Sequence, residues 1–303
     1  MRVFVTGATG FIGRALSAAL VARGDTVVAL SRSGAAPGGE DGRPLEGVRA
    51  VPGDPTAEGP WRAELAGCDA VVHLAGEPIA AHRWGAEHKE ELRRSRVESG
   101  RQLAAAIAAL PAAERPRVLV TASGADIYPF DSSERPYAED APAGHGFLSE
   151  LCVAWEAATA GAAERVVAMR TGLVLGKGEG ALAKLTTPFK LFLGGPVGSG
   201  QQWLSWIHLD DVVGGYLLAL DRDLRGPINL VTASVRQREF AAALGDALKR
   251  PSWLPVPGLA LRAAVGELAE HLIHGRRIEP AALGHAGYRW TRPDLAEALA
   301  ASV

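Results

Sequence analysis

Gly7, Gly10 and Gly13 follow one another at three-residue intervals in the run Thr6-Gly-Ala-Thr-Gly-Phe-Ile-Gly13. That spacing suits the holding of a pyrophosphate by backbone groups. One glycine makes a tight turn, a second lets N–H groups approach phosphate oxygens, and the third lets a helix pack closely on a strand. The first turn of the helix that follows then faces the phosphates with its partial positive charge. A glycine triplet alone is a weak signal in a chain with 36 glycines. Its force comes from its place between a strand-like run, Arg2–Thr6, and a helical one, Phe11–Arg23. The expected dinucleotide contacts of this loop are Gly7, Thr9, Gly10, Phe11, Ile12 and Gly13.

Three further stretches bear on the same ligand. After the apolar run Thr26–Leu30, where an NAD site presents a carboxylate to the ribose 2′-hydroxyl, the chain reads Ser31-Arg32-Ser33. A guanidinium beside hydroxyls suits a 2′-phosphate, so Ser31 and Arg32 point to NADP(H) rather than NAD(H). Arg32 as a plain solvated loop charge is the alternative. Asp54, following Val51-Pro52-Gly53, has the chemistry to accept from an adenine amino group, or to make only a local turn. The segment His73-Leu-Ala-Gly-Glu77 ends an apolar run at the edge where open α/β sheets bind ligands. Leu74, Ala75, Gly76 and Glu77 are therefore expected beside the cofactor, with His73 a packed strand residue.

The elements that must position these groups alternate in type. Strands are expected at Arg2–Thr6, Thr26–Leu30, Arg49–Val51, Ala70–Leu74, Arg117–Ser123 and Val166–Thr171. Helices are expected at Phe11–Arg23, Ala86–Leu110 (stopped by Pro111) and Phe147–Ala160. This is the pattern of a Rossmann-type, doubly wound parallel sheet of the α/β class. After Thr171 the rhythm breaks. Gly172–Gly200 reads as glycine-rich and irregular, Trp206–Leu220 as a short strand and helix, and the chain from Arg236 as mostly helical. The expected organisation is a dinucleotide-binding domain (residues 1–171 with about 206–232) and a smaller, mostly helical substrate-binding lobe (172–205 with about 233–303).

Several sequence blocks together resemble the extended short-chain dehydrogenase/reductase superfamily. They are TGATGFIG, the HLAG after the fourth strand, Thr121-Ala-Ser123 and Trp206-Ile-His-Leu-Asp-Asp211. HLAGEPI, RTGLVLG, ALAKL, LGGPVGSGQQWLSWIHLDD and the GYRW-x-x-PDL tail narrow the resemblance. They look like an atypical subgroup of epimerase-family, nucleoside-diphosphate-sugar epimerase-like proteins. The resemblance covers essentially the whole chain and implies a Rossmann domain, NADP(H) binding and a C-terminal substrate lobe.

The superfamily's chemistry rests on a tyrosine four residues before a lysine, with a serine nearby. The ammonium lowers the phenol's pKa and the serine orients the substrate. Here the tyrosines are Tyr128, Tyr137, Tyr216 and Tyr288, and the residues four further on are Ser132, Ala141, Leu220 and Arg292. None is lysine. Laid on the superfamily pattern, Leu148 falls at the tyrosine position and Cys152 at the lysine position, with Arg96 where many relatives have an asparagine. Both replacements are expected on the helix face toward the nicotinamide, as an apolar wall. Ser123 and Tyr128 are the catalytic candidates that remain, Tyr128 as a neutral proton donor to a carbonyl. Glu77, Arg83, His145, Ser149 and Glu150 are further polar candidates, and Cys152 reads as inert packing rather than a nucleophile. His271 and His274 share a helix face, yet no carboxylate or cysteine completes a metal constellation, so no metal is expected.

Composition bounds the rest. The 303 residues carry a formal net charge of −2 with 22% charged side chains. Neither a nucleic-acid surface nor a polybasic membrane patch is advertised. Two distant cysteines, no apolar run of membrane length and an N-terminus that opens directly on a strand lead to the expectation of a cytoplasmic protein. The expected partners are an unidentified small-molecule substrate and, as an open option, a second copy in a homodimer. The leading functional expectation is NADP(H)-dependent hydride transfer with a small carbonyl or sugar-like substrate. Nucleotide-sugar epimerisation and a non-catalytic NADP(H)-binding sensor are the alternatives.

Overall fold

A computed structural model describes residues 1–39 and 42–303. Short runs of Val, Ala, Leu and Ile, buried on both faces, pair as one seven-stranded parallel sheet. Its strands are β1 (Arg2–Thr6), β2 (Thr26–Ser31), β3 (Val48–Pro52), β4 (Ala70–His73), β5 (Val118–Gly124), β6 (Arg165–Thr171) and β9 (Gly226–Leu230), in the order β3-β2-β1-β4-β5-β6-β9. The chain winds from β1 outward to β3, then returns to the other side of β1 for β4. The crevice between the ends of β1 and β4 is thus the topological switch point, where such sheets bind ligands.

Alternation along the strands divides the core between the two faces. Val3, Val5, Val27, Ala29 and Val72 pack with Leu16 and Leu20 of α1 (Phe11–Ala22). Val212 and Tyr216 of α6 (Leu209–Asp221) complete that face. Phe4, Val28, Leu30, Val71 and Leu119 pack on the other face with Trp61, Leu65, Leu103 and Ile107. Each such large apolar side chain contributes on the order of 1.5–3 kcal/mol on burial. Both cysteines are free and buried.

The structure departs from the sequence pattern in three places. The helix expected over Ala86–Leu110 is broken. It consists of α2 (Ala86–Arg93), a π-helical turn at Arg94–Glu98, and α3 (Ser99–Ala109). The stretch expected to be irregular holds β7 (Leu173–Leu175) and α5 (Gly180–Lys190). Finally, β8 (Trp203–His208) lies outside the large sheet. It pairs in parallel with β7 and antiparallel with β10 (Ala233–Arg236), so the lobe has a sheet of its own. Helices α4 (Phe147–Thr159), α5, α7 (Gln237–Leu248) and α11 (Leu295–Ser302) complete the larger elements. Leu182, Phe189, Trp206, Phe240, Leu244 and Leu299 form the lobe's apolar core. The short helices α8 (Gly258–Val265), α9 (Leu268–Ile273) and α10 (Ala281–His285) lie between α7 and α11. Among the described residues no helix is long and apolar enough to cross a membrane.

The end of the chain is tied back to the first domain. Asp211, fully buried in the first turn of α6, accepts hydrogen bonds from Tyr288 Oη at 3.1 Å, Thr291 N at 2.6 Å and Arg292 N at 3.0 Å. His208 caps the same helix, its Nδ1 accepting from Asp210 N.

Candidate functional site

At the switch point the loops after β1 and β4 are in contact. Gly7 has φ +69°, and a Cβ there would lie 2.7–2.8 Å from Leu74 and Ala75 backbone atoms. Glycine is required on both counts, conformation and space. A Cβ on Gly13 would stand 2.1 Å from Gly7 O, so this residue sets the close packing of α1 on the turn. Gly10, exposed at the helix N-cap, gives α1 no side-chain cap and leaves its first N–H groups facing the crevice mouth. Exposed Thr9 and Gly10, the uncapped helix start and the open backbone fit a pyrophosphate. The side chains of Phe11 and Ile12 point elsewhere. Phe11 lies under Gly176 and Gly180 of the lobe, and Ile12 packs into the core, so only their backbones are offered to a ligand. Arg14 fastens the loop, donating to Thr9 O and pairing with Glu179 at 2.6 Å.

Thr6 and His73 join the two loops from below. Thr6 Oγ1 accepts from Leu74 N and Ala75 N, both at 3.2 Å, and lies 2.7 Å from His73 Nδ1. His73 Nε2 is 3.1 Å from Ser99 Oγ, which donates to Ser95 O at 2.6 Å. The ring is fully buried without a carboxylate partner, and burial pushes its pKa down to about 4.

Just past β2, Ser31 Oγ donates to Ala35 O, which shapes the turn, and Arg32 beside it is exposed. Asp54 Oδ1 accepts from Thr56 N and Oγ1, both at 2.8 Å, making an Asx turn with the second carboxylate oxygen spare. Burial raises the Asp54 pKa. The Thr56 bonds and the nearby Arg94 and Arg32 outweigh that and hold the carboxyl below its usual range.

Leu148 and Cys152, the residues expected at the dyad positions, are both packed. Leu148 joins Trp84, Leu92, Val97 and Leu151, while Cys152 joins Ala125, Ile127 and Tyr128. Cys152 Sγ lies against Gly124 at the end of β5. Burial, reinforced by Asp126, pushes its thiol up to about 12, so it is not a thiolate nucleophile at neutral pH.

Ser123 and Tyr128 do not take the places expected of them. Tyr128 is 0% exposed. Its hydroxyl donates to Asn229 Oδ1 at 2.7 Å and accepts from Arg170 Nη1 at 2.8 Å. Ser123 Oγ donates to Glu156 Oε1 at 2.7 Å, and Glu156 also receives Arg170 through Nε and Nη2. Both hydroxyls are thus committed to a buried network between β5, α4, β6 and β9. Burial raises the Tyr128 pKa despite Arg170, so the phenol stays neutral. The signal missed in the sequence is Arg170, whose charge needs buried acceptors and takes these two groups as its partners. Among the other polar candidates, Ser149 donates to Ile127 O, whereas Arg83, His145 and Glu150 are exposed.

Asp126, not singled out in the sequence, and His271, read there only as one of a histidine pair without a metal, come together beyond the end of β5. Asp126, just past β5, pairs with Arg276 Nη1 at 2.8 Å, and its Oδ1 is 3.8 Å from His271 Nδ1. The His271 ring is set between Trp84 and Phe130, with centroids 5.5 and 4.9 Å away. Burial, then Arg276, keeps the His271 pKa below its usual value against the pull of Asp126. From α9 no sequence spacing links His271 to Asp126, because the fold alone brings them together. On the opposite wall, the π-helical turn places Ser95 Oγ under Glu77 N, at 3.0 Å, and Arg96 against Gly76. Such turns recur at functional sites.

Comparison with known proteins bears on this geometry. Residues 3–231 match the NAD dependent epimerase/dehydratase family, and residues 256–302 match a domain of unknown function, DUF1731. The chain is 41% identical to the epimerase family protein SDR39U1 of Bos taurus, over 99% of this chain and 98% of that protein. It is 40% identical to the chloroplastic SDR39U1 homolog of Arabidopsis thaliana, over 99% and 86% of the two chains. The crystal structure of human SDR39U1 (isoform 2) with NADPH superposes with a TM-score of 0.85 at 35% identity, covering 100% of this chain and 99% of that one.

Proposed function

Because the chain belongs to the NAD dependent epimerase/dehydratase family, we propose that it binds NADP(H) across the switch point and exchanges hydride with a small carbonyl or sugar-like substrate. The observation that carries the cofactor choice is Arg32, exposed at the end of β2 where an NAD site has a carboxylate. The human relative crystallised with NADPH supports it. In this reading Gly7, Thr9, Gly10 and the first turn of α1 take the pyrophosphate through their backbone. Ser31 and Arg32 face the 2′-phosphate, and the spare oxygen of Asp54 faces the adenine. Leu74, Ala75, Gly76 and Glu77 line the ribose side. When bound, the reduced nicotinamide supplies hydride.

The protein's own part is to orient the carbonyl and move one proton. Tyr128 and Ser123 act at a distance here, through the network that fixes β5 and α4. His271 is the group we assign to the proton, held at the cleft by Trp84 and Phe130 with Asp126 beside it. A neutral imidazole, here with a side chain only 10% exposed, can release a proton to an alkoxide forming next to it and recover one afterwards. Nucleotide-sugar epimerisation is less well supported, since it begins by removing a hydroxyl proton and the buried Tyr128 pKa is raised. One observation favours a second reading, a non-catalytic NADP(H)-binding sensor: Leu148 and Cys152, which the resemblance lays on the dyad, are buried among apolar side chains.

The deciding experiment has two arms. Fluorescence titration compares NADPH with NADH, and a panel of small carbonyl compounds is screened for NADPH oxidation. Tighter NADPH binding with turnover lost in His271→Gln supports the enzyme, and tight binding with no turnover supports the sensor. Equal affinity for the two nucleotides refutes the cofactor assignment.

A further inference from the structure

Arg96 carries a charge that the fold buries and does not neutralise. It is 6% exposed in the π-helical turn between α2 and α3. Its guanidinium lies 5.0 Å from the Trp155 ring and against Gly76, where an added Cβ would be 3.3 Å from Cζ. Its two hydrogen bonds both leave from Nη1 and both are long, 3.4 Å to Leu92 O and 3.5 Å to Ser95 Oγ. Nε and Nη2 donate to no acceptor among the described residues. The carboxylates in electrostatic range are Glu77 and Asp126. Neither forms an ion pair with Arg96, and Asp126 is committed to Arg276.

The other buried arginines are served differently. Arg170 is gripped by Glu156, Arg276 by Asp126, and Arg165 donates to the carbonyls of Ala219, Leu220 and Leu224. A guanidinium so largely buried without such partners is unfavourable, and its unpaired Nε and Nη2 are not among the enclosed atoms, so its counter-ion is to be sought in a ligand. The free edge, Nε with Nη2, is the side-on fork that takes a carboxylate through two parallel hydrogen bonds.

We propose that Arg96 is an oxyanion-binding subsite beside the nicotinamide, and that the substrate carries a carboxylate or an equivalent oxyanion close to its reacting carbon. The placement rests on the NADP(H) reading above, because Gly76 ends the loop assigned to the ribose and Cys152, at the superfamily's lysine position, is also in electrostatic range of Arg96. The cofactor does not supply this anion. Its phosphates have their own seats at Gly10 and Arg32, and its reduced nicotinamide riboside half is uncharged. The anion therefore arrives with the substrate. The cation missing from α4 is present on the neighbouring element, turned to a different use.

Calorimetric titration of the NADPH-loaded protein with oxalate, and with neutral oxamide as control, tests this. Oxalate is expected to bind, and oxamide to bind about tenfold more weakly or worse. Arg96→Met, which keeps the apolar stem, is expected to weaken oxalate about tenfold or more, the effect of one charge-assisted pair, with NADPH affinity unchanged. Arg96→Lys, keeping charge without the fork, is expected to retain a preference for oxalate at reduced affinity, and it also guards against a folding defect in the first variant. Equal oxalate binding by parent and Arg96→Met overturns the subsite. So does a variant with weakened NADPH but unaltered 2′,5′-ADP binding, which would put the cation on the cofactor. A parent protein that binds no NADPH overturns the cofactor reading instead, and the oxalate comparison on free protein then still decides the subsite.

Discussion

Acidification should cost this fold stability through His73, and the amount follows from the ring's contacts. Thr6 Oγ1 already accepts from two backbone N–H groups, so its own hydrogen is directed to His73 Nδ1. Nε2–H is left to donate to Ser99, whose hydroxyl hydrogen goes to Ser95 O. The network thus assigns one neutral tautomer, and a proton on Nδ1 would set donor against donor. The folded-state pKa of about 4 lies below the ordinary 6.5. Between those values the unfolded chain binds a proton that the folded chain refuses. Stability is therefore intact above about pH 6.5, falls with falling pH and levels off below about pH 4. At roughly 1.4 kcal/mol per unit the loss is about 3 kcal/mol, with no discount for solvent because the ring is fully buried. Urea denaturation across this window, parent against His73→Gln, isolates the histidine from carboxylates titrating alongside it, and the pH slopes of the two should differ. Imidazole NMR gives the direct check. A His73 inflection near pH 6.5 in the folded protein would refute the reasoning.

Arg32→Ala should weaken NADPH by about 1.5–3 kcal/mol, the scale of one charge-assisted contact, and leave NADH unchanged; fluorescence titration of both nucleotides reads this, and parallel losses would contradict the 2′-phosphate role. Gly13→Ala forces a Cβ to 2.1 Å from Gly7 O with no flexible side chain to yield. A loss of about 1–3 kcal/mol or more is expected in thermal unfolding, and an unchanged Tm would show that the turn adapts. Tyr128→Phe leaves Asn229 Oδ1 without its donor and takes one of two acceptors from Arg170 Nη1, which keeps Glu139 O, costing about 1–3 kcal/mol of stability. Turnover per folded molecule should hold, whereas lost turnover at full stability would return Tyr128 to the chemistry.

The parts of the fold that were legible are those set by local periodicity. Arg2–Thr6 and Phe11–Ala22 announce themselves by apolar spacing and by the glycines between and after them, and the Rossmann pattern follows. Much of the lobe was not legible. Leu173–Leu175 is only three residues long, and Trp203–His208 is recognisable as a strand without any local sign of which sheet it joins. The break at Arg94–Glu98 has no proline or glycine to mark it; there Ser95 Oγ accepts from Glu77 N and Ser99 Oγ meets His73 Nε2, contacts that only the fold brings together. The phosphate loop could be read because one short stretch supplies all of it. Asp126 could not, His271 stood out only as one of a histidine pair and Arg96 only as a replacement for asparagine, since the three come from distant segments and their proximity has no local sign.

The three bonds that Asp211 receives from Tyr288, Thr291 and Arg292 also bear on the order in which the protein can be made. The chain leaves the ribosome from its N-terminus, and domains generally fold as they emerge. The parallel sheet can assemble once Gly226–Leu230 is available. The carboxylate at the head of its supporting helix must nevertheless wait for Tyr288, Thr291 and Arg292 to bury and satisfy it. Until then a polar side chain sits without its partners at a site destined for the interior, and water has to remain there. The nascent sheet is thus loose at this helix until residues 288–292 have emerged, and a ribosome stalled before them would hold a sheet that is complete in its strands while this helix is still unsealed.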